Sequence, residues 1–436
     1  MIIDKYHAKM FTDSRYTTLP NGKLLGDRLS RFYATQRKLP YAPVLGHERL
    51  IKGLCNNYPT VEERQYLIDA GLIAPKTEVK DSVMLRLPEE GTIMFANEPI
   101  ADIVGAFGLT QLQEIYFEHA FDLPMTVAHN AMEIVRSADG AKVVDFSLRR
   151  DGSEERANEV TRYSYIGGFN ATSSLTGAVK NEIDWVGTCA HYFQQAFVGF
   201  PDWQVLAFQA QLDANPEGTV LLLDTVSVEK GMTDAWKALD TEERRKAFKG
   251  FRIDSGNASE EALKVLRFFD GLGVTDLSVT LTGDLNARTV RYHKGMLRTR
   301  FPNVEVTFGV GTKLIAETEK VAGVIYKLSE IDGIGTMKIS GKKSTLPGHL
   351  QVFRVKDEYG FYVKDIIGLH GEDLGEGLLH PVSIQAFSLQ EPKSANFLRG
   401  KVLLERSKFK NIDNYLVEES EGLKKLKKET FKILTS

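Results

Sequence analysis

The runs Phe251-Arg252-Ile253-Asp254-Ser255-Gly256, Leu281-Thr282-Gly283-Asp284 and Phe308-Gly309-Val310-Gly311-Thr312 each read as a strand that ends in a small, polar turn. They recur at intervals of about thirty residues, the length of one strand plus one helix in a β/α barrel. Barrel enzymes carry their chemistry at the C-terminal ends of the strands, so three such ends predict one shared site. Glycine there lets backbone N–H groups approach an anion closely. Arginine and aspartate add charge and hydroxyl recognition. The set points to a ligand that carries both a phosphate and a sugar.

Outward from these turns, Val143-Val144-Asp145-Phe146, Val220-Leu221-Leu222-Leu223-Asp224 and Leu277-Ser278-Val279-Thr280-Leu281 read as buried strands. Glu260 to Phe269 reads as a helix, with acids in its first turn and Gly271 to Gly273 closing it. Strands alternating with helices predict a parallel sheet, either a barrel or an open doubly wound sheet. Toward the N-terminus, Val61 to Ile68 reads as a helix, and Ser82 to Gly105 as a hairpin turning at Pro88-Glu89-Glu90-Gly91. Leu109 to Ser137 reads as two helical stretches interrupted at Pro124. After Val321 the pattern predicts antiparallel strands without clear helices, and Leu423 to Glu429 a solvated terminal helix.

The chain has 436 residues, 42% hydrophobic and 26% charged, with a formal net charge of −3. That length supports one large or several smaller soluble domains, and the charge gives no reason to expect nucleic acid. Two cysteines, Cys55 and Cys189, suit a reducing cytoplasm rather than a disulfide framework. No paired Cys or His motif of metal-binding spacing occurs. No signal peptide is read at the N-terminus, and no apolar run approaches a membrane span.

Several further residues carry chemistry. Gly309, Gly311 and Thr312 make a phosphate-sized nest of donors. Arg252 and Asp254, two apart on a strand, point the same way. They can bind an anion and sugar hydroxyls, or simply pair with each other. His191, in Gly187-Thr188-Cys189-Ala190-His191, can serve as a base, a phosphate contact or a nucleophile toward phosphorus. Cys189 reads as a packing residue. Arg149 and Arg150 can clamp a carboxylate. Tyr165-Ile166-Gly167-Gly168-Phe169-Asn170 offers a turn beside aromatic faces where a planar ring could stack.

The order of these motifs resembles the nicotinate phosphoribosyltransferase family across nearly the whole chain. The resemblance rests on Asp145 to Arg150, Tyr163 to Phe169, Gly187 to His191, Arg252 to Gly256, Gly283-Asp284-Leu285 and Phe308 to Thr312. It extends to Asp4-Lys5-Tyr6, Arg37 to Pro40, Val324 to Leu328 and Leu346-Pro347-Gly348. It implies an α/β chain with an irregular β/α barrel at 141–320. An open-faced α+β sandwich domain would come from both ends, 1–140 and 321–436. It also implies joining of nicotinate to phosphoribosyl pyrophosphate, coupled to ATP hydrolysis as in a ligase, with Mg2+ on the pyrophosphate. By the resemblance, His191 is transiently phosphorylated by ATP. Thr188 and Arg252 contact nicotinate, with Arg149 nearby. Gly283, Gly311 and Thr312 hold the ribose 5-phosphate, and Asp254 serves the ribose or Mg2+ environment. Tyr6 stacks on the pyridine ring from a neighbouring subunit of a cytoplasmic homodimer with shared sites.

This chain departs from the family where Asn170, Asn257, Asn286 and Ser227 replace expected aspartates. The expectation is weaker Mg2+ dependence or altered affinity with an unchanged reaction. Nicotinamide as substrate, quinolinate as substrate, and a non-catalytic nucleotide-binding regulator are the competing readings. Arg149, Arg150 and Arg252 favour a carboxylate over an amide.

Overall fold

A computed structural model describes residues 1–75, 82–315, 321–339 and 345–436. The chain divides into two compact units, Asn130–Glu317 and Met1–His129 with Thr318–Ser436.

The first unit is built on seven parallel strands, β1 (Lys142–Asp145), β2 (Ala171–Thr172), β3 (Asp184–Trp185), β4 (Thr219–Leu222), β5 (Phe248–Ile253), β6 (Ser278–Leu281) and β7 (Val306–Val310). Their spatial order is β3-β2-β1-β7-β6-β5-β4. Apart from β3 and β4, sequence neighbours are therefore paired neighbours, and the last strand pairs with the first, Phe308 lying opposite Val143. An open doubly wound sheet instead reverses its strand order at a switch point. The order found here is that of a barrel, irregular because β3 and β4 are the two ends of the sheet.

Its core is apolar and close-packed: Val143, Leu221, Phe251, Val279 and Phe308 are fully buried beneath the helices Trp203–Ala214, Val228–Ala238, Ala258–Asp270 and Ala287–Arg300. Gly231 lets the second of these helices press on the sheet, since a Cβ there would sit 1.9 Å from the Leu223 carbonyl oxygen. The expected helix at 260–269 lies within Ala258–Asp270.

The second unit joins both ends of the chain. Leu29–Gln36 runs antiparallel between Val324–Ile331 and Pro99–Ala106. Val83–Leu87, His380–Val382 and Ile334–Gly335 complete a six-stranded sheet. A four-stranded sheet carries Leu350–Lys356 and Tyr362–Leu369. The helix at 61–68 is present as Val61–Asp69, opened by a reciprocal Thr60–Glu63 capping box.

Three expectations change. Val83–Leu87 pairs with Pro99–Ala106, while Ile93–Phe95 leaves to pair with Tyr41–Pro43, so 82–105 is not one hairpin. Glu114–Ala138 is a single helix running through Pro124. The carbonyl that Pro124 deprives of a partner, that of Ala120, is covered by Gly46. There φ is +113° and a Cβ would fall 2.1 Å from the Ala120 oxygen. Finally, the C-terminal third carries the helix Ala395–Ser407 besides the terminal helix Glu421–Thr435.

Candidate active site

Because the strands of the barrel are parallel, their C-terminal ends share one rim. β3 leads to Thr188 and His191, β4 to Asp224 and Thr225, β5 to Asp254, β6 to Thr282 and Gly283, and β7 to Gly311 and Thr312. Four hydrogen bonds centre on Arg252. Nε donates to Thr282 Oγ1 (2.9 Å), and Nη1 to Thr188 Oγ1 (2.9 Å) and the Cys189 carbonyl (3.2 Å). Nη2 donates to Asp254 Oδ1 (2.9 Å), and the guanidinium lies over the Phe146 ring, 5.9 Å from its centroid. Arg252 and Asp254 thus do pair, and the pair is also tied to β3 and β6.

Asp254 also accepts from Thr282 Oγ1, and its own backbone N–H donates to Asp224 Oδ2 (2.9 Å). Burial pushes its pKa up, but the Thr282 and Arg252 hydrogen bonds and the neighbouring charges of Arg252 and His191 outweigh burial and hold it below the ordinary value. It is an anion held beside the Arg252 cation on that rim. Asp224 further accepts from Ser255 Oγ (2.7 Å), and its Oδ1 is buried without a hydrogen-bond partner.

His191 opens the short helix His191–Gln195. Its Nε2 faces Asp254 Oδ2 at 3.7 Å and its Nδ1 meets Thr225 Oγ1 at 3.1 Å. With its side chain 38% exposed, the ring is reachable from solvent. Cys189 is half-buried, and burial raises its pKa, as befits a packing residue rather than a thiolate.

The glycines behave as close-approach positions. Gly283 has φ +92°, and a Cβ there would lie 2.4 Å from the Asp254 carbonyl oxygen. Asp284 follows, also left-handed at φ 41°. Gly309 is pressed by the Phe146 ring and Thr282, each within 2.7 Å of where a Cβ would be. Gly311 and Thr312 lead into the helical turn Thr312–Leu314, whose first amides have no partner inside the turn. Arg149 and Arg150 occupy the exposed turn Leu148–Arg150 that follows β1 on the same rim.

Other residues are not brought there. Tyr165 to Asn170 precede β2, so they lie at the N-terminal rim, opposite the site, and Phe169 is fully buried. No ring can stack on it, and the expected stacking turn is a helix terminus instead. Asn170 serves the sheet, its Oδ1 accepting from Val143 N–H (2.9 Å). Tyr6 belongs to the other unit, where it is 48% exposed and donates to Glu114 Oε2 (2.8 Å). Asn286 and Ser227 are N-caps, accepting from Thr289 N–H and Lys230 N–H. Asn257 lies within reach of Tyr292 Oη (3.4 Å) and accepts from Ser259 Oγ (3.2 Å).

Thr282, Thr225 and Gln194 escaped the sequence reading as site residues. Thr282 and Thr225 were findable, since Thr282 directly follows β6 and Thr225 follows Asp224 in the turn after β4. Gln194 carries no sequence signal, because its role exists only through contacts. Among the described residues no group of three or more His, Cys, Asp or Glu could hold a metal ion. With Asp254 engaged by Arg252 and Thr282, these residues do not fit a resident Mg2+.

A model of the nicotinate phosphoribosyltransferase family matches residues 141–349. Nicotinate phosphoribosyltransferase pncB2 of Mycobacterium tuberculosis is 34% identical over 295 residues, 67% of this chain and 61% of that protein, so the match spans under two thirds of that relative. The Bacillus subtilis nicotinate phosphoribosyltransferase is 28% identical over 79% of this chain and 73% of its own length. The fold is that of human nicotinic acid phosphoribosyltransferase, with a TM-score of 0.76 over 98% of this chain and all of that one, at 20% identity. A nicotinate-nucleotide pyrophosphorylase from Pyrococcus furiosus aligns with a TM-score of 0.71 over 93% of this chain and 94% of that one, also at 20% identity. The matched segment contains the whole barrel rim built around Arg252, and the chain belongs to the nicotinate phosphoribosyltransferase family.

Proposed function

We propose that this chain joins nicotinate to phosphoribosyl pyrophosphate, giving nicotinate mononucleotide and pyrophosphate in NAD salvage, with ATP consumed through a transient phosphohistidine at His191. The observation that carries the reading is Arg252, a cation held by Thr188, Thr282 and Asp254 beside His191 on one rim. A fixed guanidinium suits a carboxylate ligand through its charge and the Nη2–H that these four contacts leave over, and Arg149 is a second cation on that rim. The amides about Gly283, Gly311 and Thr312 suit the 5-phosphate. Nicotinate nitrogen is already nucleophilic, so positioning and stabilisation of the leaving pyrophosphate supply the catalysis. Asp254 stabilises positive charge developing on the ribose. Mg2+ enters with the substrates, as counter-ion of their phosphates. Tyr6 stacks on the pyridine ring in a partner subunit's site of a cytoplasmic homodimer.

The test is an assay of nicotinate with phosphoribosyl pyrophosphate, with and without ATP, run beside nicotinamide and quinolinate. Nicotinate mononucleotide formed from nicotinate and stimulated by ATP is expected. A folded sample that forms none overturns the reading. His191→Ala is expected to lose the ATP stimulation and keep part of the basal transfer; stimulation that survives in it removes His191 from the ATP step.

A further inference from the structure

We propose that Thr225 and Gln194 are positioning residues that keep a proton on His191 Nδ1 and leave the Nε2 lone pair facing the rim. The Leu222 carbonyl can only accept, and Gln194 Nε2 lies 2.7 Å from it, so the Gln194 amide nitrogen points there. Gln194 Oε1 therefore faces Thr225 Oγ1 at 2.7 Å, with Gln204 Nε2 at 3.2 Å on its other side. An amide oxygen only accepts, so the Thr225 hydroxyl spends its single proton on it. Thr225 Oγ1 can then meet His191 Nδ1, 3.1 Å away, only as an acceptor, and Nδ1 carries the hydrogen.

The opposite tautomer would place a proton on Nε2 toward Asp254 Oδ2. That contact is 3.7 Å, beyond hydrogen-bonding distance, and it would turn the Thr225 hydroxyl away from Gln194. Gln194 and Gln204 are both fully buried, so a lost donor there is not replaced by water at low cost. The short chain, anchored on the buried Gln194, decides the tautomer over the long contact.

The consequence for phosphoryl transfer rests on the proposed function. The Nε2 lone pair attacks the terminal phosphorus of ATP and an Nε2–P bond forms. The P–O bond to ADP breaks, with the electron pair leaving on ADP. The Nδ1 proton stays, so the phosphorylated ring is cationic, with its Nδ1–H still held by Thr225. A ring held in the other tautomer would present no lone pair to the rim.

Protein labelled with 15N at its histidines, recorded where His191 is neutral, reads the tautomer directly by proton–nitrogen correlation, with His191 assigned by the signal lost in His191→Asn. A protonated Nδ1 and an unprotonated Nε2 are expected in the natural protein. Thr225→Val should shift the proton toward Nε2, and Thr225→Ser should restore it. A natural protein protonated on Nε2, or a Thr225→Val spectrum unchanged at His191, overturns the proposal. After incubation with ATP, 31P spectra should place the phosphoryl group on Nε2, with that signal lost in Thr225→Val and present in Thr225→Ser. If the natural protein takes no phosphoryl group while the tautomer pattern holds, the phosphohistidine reading fails and the positioning role stands.

Discussion

Single side chains on the barrel rim separate binding chemistry from structural support. Asp145 is buried and accepts from Ser147 N–H, Thr161 and Thr172, which ties β1 to the helix Glu154–Ile166 and to β2. Asp151 stands beside it, 2% exposed, and burial together with the Asp145 charge raises its pKa from 3.8 to about 6. A carboxyl with a raised folded pKa is favoured protonated in the folded chain. Its penalty therefore appears as pH climbs from its unfolded pKa through about 6 and stays constant above that. Asp151→Asn is expected to stabilise the protein on the order of 1–2 kcal/mol at pH 8 and to be neutral near pH 4. Urea denaturation at the two pH values measures this, and equal effects at both would remove the assigned cause. The replaced acids give a second prediction at this scale. Asn286 and Ser227 keep the N-cap function an aspartate would have had, whereas Asn257 stands at the N-cap of Ala258–Asp270 without a side-chain capping bond, and under the proposed reaction it is the replaced acid expected to bear on the substrates' Mg2+. Activity titrated with Mg2+ should saturate at lower concentration in Asn257→Asp, and superimposable curves would end the idea.

Elements explain why some of the fold was legible and some was not. The turns after β5, β6 and β7 were readable because glycine, arginine and aspartate follow short apolar runs at even spacing, and a parallel sheet buries those runs on both faces. β2 and β3 are only two residues long each and carry no periodicity to read. The turn at Tyr165 to Asn170 looked like a ligand platform because glycines beside aromatics resemble one in isolation. Its position before a strand instead of after one decides against it, and that depends on finding β2. Pro124 misled for a related reason, since its freed carbonyl is covered by Gly46, more than seventy residues earlier in the chain. The close approach at Gly283 yields the prediction at this scale. Gly283→Ala places a methyl 2.4 Å from the Asp254 carbonyl oxygen in a left-handed conformation. It should cost about 1–3 kcal/mol of stability and raise the KM for phosphoribosyl pyrophosphate more than that for nicotinate. Equal changes in both KM values would separate the turn from the phosphate.

For the whole molecule, the unit made from both chain ends depends on contacts the sequence reading did not find. Arg354, on Leu350–Lys356, is buried and pairs bidentately with Asp365 (2.9 and 2.6 Å) and with Glu405 on the helix Ala395–Ser407 (2.7 Å). It also donates to the Ile93 carbonyl (2.7 Å), so one guanidinium holds an N-terminal strand, a C-terminal hairpin and a C-terminal helix together. Glu98 lies close by, and burial and the Asp365 charge push its pKa well above the ordinary value, while Arg354 opposes them. Removing Arg354 would therefore leave Asp365 buried without its counter-charge and Glu405 with only Lys408, 3.6 Å away. Arg354→Met is expected to lower stability by about 3–5 kcal/mol, because breaking one side of a buried ion pair leaves the other charge uncompensated. The triple variant Arg354→Met, Asp365→Leu and Glu405→Leu should lose less than the single one, since it removes the stranded charges as well. Guanidinium denaturation of the three proteins tests the order. A triple variant less stable than Arg354→Met would mean that the hydrogen bonds, among them Tyr362 to Glu405 and Tyr415 to Asp365, outweigh the charges in joining the two ends of the chain.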